Sequence, residues 1–225
     1  MRRYLGHIWA VAAKDLALEM RSRERIVGMG TFAVLVAVVW SFSLDPSVRP
    51  RSVAGAMIWV TIFFAGMLGL GRSFVLELEQ EALTGVLLAP IDRGAIFLGK
   101  FVANLLILFA VEALIFPVYG LFFGIGMGGS LGGVALVVGL ASVGFVALGT
   151  LFGAVAAQTR LGETLLPILL LPLLIPVVIF GVSATQRLLV GRPLAEVMGS
   201  VRMLAAFDLI YLFVCTLAFG SVVEE

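Results

Sequence analysis

The sequence predicts an all-α integral membrane protein, with six transmembrane helices preceded by an amphipathic helix in the membrane interface. Three observations carry this expectation. Of the 225 residues, 61% are hydrophobic and 13% charged, and the mean hydropathy is +1.16. Soluble domains hold about 45–50% apolar and about 25% charged residues, so this composition lies outside that class. The apolar residues also gather in six runs, each near the roughly 20 residues that cross a bilayer, without the strict alternation of a barrel strand. The first 25 residues differ from these runs in mixing both signs of charge with apolar residues at helical spacing.

Within residues 1–25, Tyr4, Leu5, Ile8, Trp9, Ala12, Leu16 and Met20 recur at helical spacing, while Arg3, Lys14 and the stretch Arg21 to Arg25 are polar. That pattern suits a helix lying in the interface, with Trp9 and Tyr4 at headgroup level. Arg2, Arg3, Lys14, Asp15, Glu19 and Arg21 precede the first long apolar run, a charge mixture that does not fit a signal peptide. Residues 26–225 are expected to form the membrane domain, with spans at Ile26–Leu44, Val53–Gly71, Phe101–Gly126, Leu131–Ala157, Thr164–Val182 and Val201–Val222. Only the glycine-rich stretch around Gly126 to Gly133 separates the third and fourth, which makes a tight turn. Pro167, Pro172 and Pro176 interrupt the fifth span and permit a kink or a broken segment. Gly120 with Gly124, and Gly149 with Gly153, have the four-residue spacing that lets membrane helices approach closely.

Orientation follows from the basic residues. Arg2, Arg3, Lys14, Arg21, Arg23, Arg25, Arg72, Arg93, Lys100 and Arg160 fall on the N-terminal side, against Arg49, Arg51, Arg187 and Arg192 on the other. The positive-inside rule then places both termini in the cytoplasm. The longest inner connection is 72–100 and the longest outer one 183–199, the latter with a short amphipathic helix expected around Gln186 to Val190.

Chemistry is tightly bounded. Net charge is +1, which gives no global field for nucleic acid. One cysteine, Cys215, and one histidine, His7, exclude an internal disulfide, a four-ligand zinc or iron–sulfur site, bis-histidine heme ligation and an intramembrane Ser/His pair. Heme ligation through His7, a methionine or Cys215 is the option that counting leaves open. No set of residues for covalent catalysis is present, so the expectation is a non-catalytic chain with no metal and no directly bound cofactor. Gly94 to Phe101 mimics the glycine–lysine spacing of a P-loop. Phe101, however, occupies the position that must offer a hydroxyl to magnesium, and no buried strand precedes it.

Two features remain. In the inner loop, Glu77, Glu79 and Glu81 give way to Leu83, Val86, Leu87 and Leu88, and then to Pro90. An acidic start followed by an apolar turn and a proline stop suits a short surface helix that buries its apolar face on lipid or a partner, or else a solvated interfacial loop. Glu112 and Asp208 lie within spans, where an ionised carboxylate costs roughly 2.5–3.5 kcal/mol on insertion scales. They serve either as structural hydrogen-bonding groups or as the lining of a pathway.

The arrangement resembles the permease subunits of ABC type-two exporters and, more narrowly, the heme exporter protein B (CcmB) family of cytochrome c maturation. The likeness rests on Ile58-Trp59-Val60, on Arg72, Phe74, Glu77, Glu79, Leu83, Leu87-Leu88, Pro90 and Lys100, and on the leucine- and proline-rich stretch Leu165 to Phe180. The resemblance implies a bacterial inner-membrane subunit that pairs with a cytoplasmic ABC ATPase. Glu77, Glu79, Glu81, Leu83, Leu87 and Pro90 would lie in the coupling helix seated in that ATPase. It also implies other cytochrome c maturation membrane subunits, a periplasmic heme chaperone and a second copy of the permease as partners. ATP acts through the ATPase, and heme is the cargo of the complex, held by a partner subunit. The competing readings are an ABC permease for a lipid, drug or polysaccharide, and a membrane scaffold without an ATPase.

Overall fold

The computed structural model describes residues 2–79, 91–126, 130–159 and 162–223, with backbone alone for 2, 74–79, 162–165 and 223. Its described residues form seven helices: α1 (Arg2–Ser22), α2 (Glu24–Ser43), α3 (Pro50–Glu79), α4 (Arg93–Phe123), α5 (Leu131–Ala157), α6 (Gly162–Leu189) and α7 (Leu194–Val223). Helices α2 to α7 are the six long and apolar enough to cross a membrane. At 1.5 Å per residue, even the 20-residue α2 reaches about 30 Å, the thickness of the hydrocarbon layer.

The spans fall where hydropathy puts them, but several helices run past their apolar runs. Helix α3 continues through Arg72 to Glu79, and α4 begins at Arg93, so both ends of the stretch 72–100 are helical. Asp92 starts α4, its carboxylate accepting the Gly94 N–H at 2.8 Å. Gly124 ends α4 in the left-handed conformation at φ 61°, where glycine carries no Cβ penalty. The stretch 183–199, expected on the outer side, is likewise mostly helix. Gln186 to Leu189 is the last turn of α6 rather than a separate helix, and only residues 190–193 connect it to α7. Helix α6 is continuous across Pro167, Pro172 and Pro176. Inside that stretch the Tyr211 hydroxyl of α7 donates to the Leu173 carbonyl at 2.8 Å, which ties α7 to the proline-rich part of α6.

Helix α5 lies against α3, α4, α6 and α7. Its small residues explain that central place, because without a hydrophobic drive between helices in lipid, association depends on close backbone approach. A Cβ on Gly149 would stand 2.4 Å from Leu70 Cδ1 of α3, and one on Gly144 2.7 Å from Asp208 Oδ1 of α7. From the other side, Gly66 of α3 leaves room for the Phe145 ring, 2.3 Å from where its Cβ would be. Gly149 therefore makes the close approach its spacing suggested, whereas Gly124 serves as a helix end facing open space.

Helix α1 packs along α4 rather than α2. Its apolar stripe divides. Val11 and Ala12 are buried and Ile8 and Leu16 half-buried, while Leu5, Trp9 and Met20 face outward, Trp9 at 64% exposure. The seam depends on Gly99 of α4, where a Cβ would stand 2.6 Å from Val11 Cβ and 2.8 Å from the Ile8 carbonyl oxygen. Gly99→Leu is expected to prise α1 off α4 at a cost of about 1–3 kcal/mol, the range for overpacking. Faster proteolysis within residues 2–22 in detergent would show it, and an unchanged cleavage pattern would contradict it.

Candidate functional site

The polar side chains of the spans gather in distinct clusters. The first sits at the elbow between α1 and α2. Arg23 takes the left-handed conformation there (φ 54°, ψ 10°), unusual for a residue with a Cβ, and turns the chain into α2. Glu19 holds the elbow from within. One carboxylate oxygen accepts the Ile26 N–H at 3.0 Å and the other pairs with Arg25 Nε at 2.8 Å. Arg25 Nη1 donates in turn to Asn104 Oδ1 of α4 at 3.1 Å. Asn104 also accepts from Ser73 of α3 at 3.0 Å and donates through Nδ2 to Thr150 of α5 at 3.1 Å. Five helices thus meet in one hydrogen-bonded set, and Glu19, Arg25, Asn104 and Thr150 are all buried.

One turn of α4 away, Lys100 is fully buried and pairs with Asp15 of α1 at 3.3 Å, while Lys14 pairs with the other oxygen of Asp15 at 3.1 Å. This disposes of the P-loop likeness, because Lys100 is engaged by α1 and the Gly94 N–H by Asp92. Tyr4 lies near the same helix start. Burial pushes its phenol above the usual tyrosine pKa, and the Asp92 charge pushes it the same way.

Glu112 is buried at mid-span in α4 and accepts the Ser142 hydroxyl of α5 at 2.5 Å. Asp208 of α7 is buried against Gly144 of α5, and neither of its oxygens finds a hydrogen-bond partner among the described residues. Ser142 and Gly144 are two positions apart, about 200° around α5, so Glu112 and Asp208 meet opposite faces of that helix. They form two separate sites, and no described Lys or Arg pairs with either.

At the end of the bundle away from α1, Trp59 Nε1 donates to Thr185 Oγ1 at 3.0 Å. Gln186 bridges α6 to the start of α3, donating to the Arg51 carbonyl at 2.6 Å and accepting the Gly55 N–H at 2.7 Å. Thr61 and Tyr119 share a 2.6 Å hydrogen bond beside the Met57 carbonyl.

Of the expected coupling residues, Glu77 and Glu79 lie on the last turns of α3. Glu81, Leu83, Leu87 and Pro90 lie outside the described residues, as does the helical turn expected around them. The elbow cluster and the Trp59–Thr185 pair are what sequence reasoning missed. Arg25 looked like one more inner charge, and Asn104, a polar side chain in an apolar run that the sequence reading passed over, is the signal that could have found the cluster. Among the described residues no group of three or more His, Cys, Asp or Glu is placed to hold a metal ion.

Six long apolar helices, with the glycine-rich α5 at their centre and polar groups turned inward, define a polytopic helical membrane protein. Residues 6–225 match the family model described as CcmB protein, and the chain belongs to that family. It is 29% identical over 201 residues to a protein of Paracoccus denitrificans named Heme exporter protein B, covering 89% of this chain and 90% of that one. A protein of the same name from Bradyrhizobium diazoefficiens is 28% identical over 184 residues, covering 81% and 82% of the two chains. One from Pseudomonas aeruginosa is 25% identical over 182 residues, covering 80% and 81%.

Proposed function

We propose that the chain is the membrane permease subunit of an ABC-type complex that exports heme, or delivers it to a periplasmic chaperone and releases that chaperone, for cytochrome c maturation. The observation that carries this reading is the family match over residues 6–225, with relatives named for heme export covered over most of their length. ATP is hydrolysed on a separate cytoplasmic ATPase, and this chain converts the closure of that ATPase into helix movement. Heme is the cargo, and a partner membrane subunit holds it.

Residues 77–90 are the seat for the ATPase. Two features support this assignment. Helix α3 extends beyond its apolar run to Glu79, and α4 is capped at Asp92, so the segment between them is anchored at both ends by long helices. Its acidic-then-leucine order supplies charge for a rim and apolar side chains for a docked face. Helix α1 lies in the cytoplasmic interface, both termini are cytoplasmic, and the Asp15–Lys100 and Glu19–Arg25–Asn104 contacts tie α1 to α4.

The test is Glu77→Lys with Leu87→Glu, expressed in the native host. Co-purification of the ATPase and heme-stained c-type cytochromes are both expected to fall to about a tenth or less, since charge reversal in a docked patch costs several kcal/mol. The variant should remain in the membrane at normal abundance. Retained ATPase with normal cytochromes would discard the coupling assignment in favour of a scaffold.

A further inference from the structure

The end of the bundle away from α1 carries a cleft of about 380 Å³ between the start of α3, the residues next to the end of α4 and the start of α5, and the α6–α7 connection. Arg51 stands in the first turn of α3, Gly126 follows the end of α4, Ser130 precedes α5, and residues 188–194 run from the last turn of α6 across the connection to the start of α7. The frame is rigid. Gln186 clamps the Arg51 carbonyl and the Gly55 N–H at 2.6 and 2.7 Å, fixing the start of α3 to the last turn of α6. Gly191, at φ 93°, turns the chain so that Arg192 follows directly onto the cleft. Leu188 and Leu194 make the apolar wall, packed over Gly133, where a Cβ would stand 3.2 Å from Leu188 and 3.4 Å from Leu194.

The charge at this cleft is one-sided. Arg51 has no ion-pair partner among the described residues. Arg192 has only Glu196, a 3.7 Å pair between side chains 64% and 45% exposed, which holds it loosely. Guanidinium groups facing a concave, partly apolar wall are suited to a carboxylate or phosphate on an apolar body.

We propose that this cleft is a binding site for the anionic group of an amphiphile, with Arg51 and Arg192 as its cationic contacts and Leu188 and Leu194 as its apolar floor. The same chemistry is offered by a phospholipid headgroup and by a porphyrin bearing carboxylate side chains. The site does not rest on the ATPase assignment, and its test uses the chain alone.

The full chain in phosphatidylcholine nanodiscs is titrated with protoporphyrin IX, a dicarboxylate, and with its uncharged dimethyl ester. In parallel, phosphatidylglycerol co-purifying from mixed-lipid membranes is counted by mass spectrometry. Arg51→Gln combined with Arg192→Gln is expected to weaken at least one of these two anionic probes about tenfold or more, as loss of charge-assisted hydrogen bonds does, and to leave the ester unaffected; loss of both identifies a site for the shared anionic group. Loss confined to the porphyrin identifies a carboxylate ligand, and loss confined to the phosphatidylglycerol identifies a lipid site. Arg187→Gln is the control, an exposed arginine near the same end that does not line the cleft. The proposal is overturned if the double variant binds both probes as the parent does, or if Arg187→Gln alone produces the same loss. Circular dichroism and a monodisperse elution profile establish that each variant is folded.

Discussion

Arg25→Met is expected to destabilise the bundle by about 3–5 kcal/mol, the cost of breaking a buried ion pair from one side. Glu19 would be left as an uncompensated buried carboxylate, since Arg25 is its ionic partner at 2.8 Å and the pair is 6% and 3% exposed. Asn104 would lose one contact but keep Ser73 and Thr150, so the damage should centre on the elbow rather than spread through α4. The double variant Glu19→Leu, Arg25→Met should recover most of the loss, because apolar replacement of a whole buried pair is often close to neutral. About 1 kcal/mol should stay missing, since Glu19 also accepts the Ile26 N–H and thereby caps α2. Thermal unfolding in mild detergent, followed by circular dichroism, gives both values. Equal midpoints for the single variant and the parent would show that the pair does not clamp the elbow.

Trp59→Ala should cost about 3–5 kcal/mol, the range for emptying a large buried aromatic site. The indole is 1% exposed, its ring lies 5.1 Å from that of Phe63, and Gly181 of α6 approaches so closely that a Cβ would stand 3.1 Å from it. Lipid is as apolar as the bundle interior, so the loss comes from missing dispersion contacts and a cavity rather than from water. Trp59→Phe separates the contributions. It keeps most of the ring contact but leaves fully buried Thr185 without its donor, which should cost about 1–3 kcal/mol. Scanning calorimetry of the two variants tests the order, and a phenylalanine variant as damaged as the alanine one would contradict it.

The spans were legible because length and hydropathy are local properties. Leu131–Ala157 agrees with α5 at both ends, and the expected first span differs from α2 by two residues at its start and one at its end. Helix ends were harder to read. Charged residues at 72–79 and 93–100 look like loop by hydropathy, yet they continue helices α3 and α4. Hydropathy marks where lipid begins, whereas a helix goes on as long as its backbone bonds and its neighbours support it. Lys100, counted among the inner loop charges, shows the consequence, being buried against Asp15 because α1 covers that face of α4.

The sequence by itself therefore determined a six-span helical membrane protein and the family likeness. It also singled out Glu112 and Asp208 as buried carboxylates, since charge within an apolar run must turn inward wherever the helices pack. Only the tertiary structure decided their partners: Ser142 for Glu112, and the Gly144 surface for Asp208, on opposite faces of α5. The same holds for Arg25 with Asn104, 79 positions apart, and Trp59 with Thr185, 126 apart. Such pairs depend on the rotation of each helix about its axis and on which helices are neighbours. Close approach through glycines sets both, and a linear pattern of apolar residues on nearly uniform spans leaves both open.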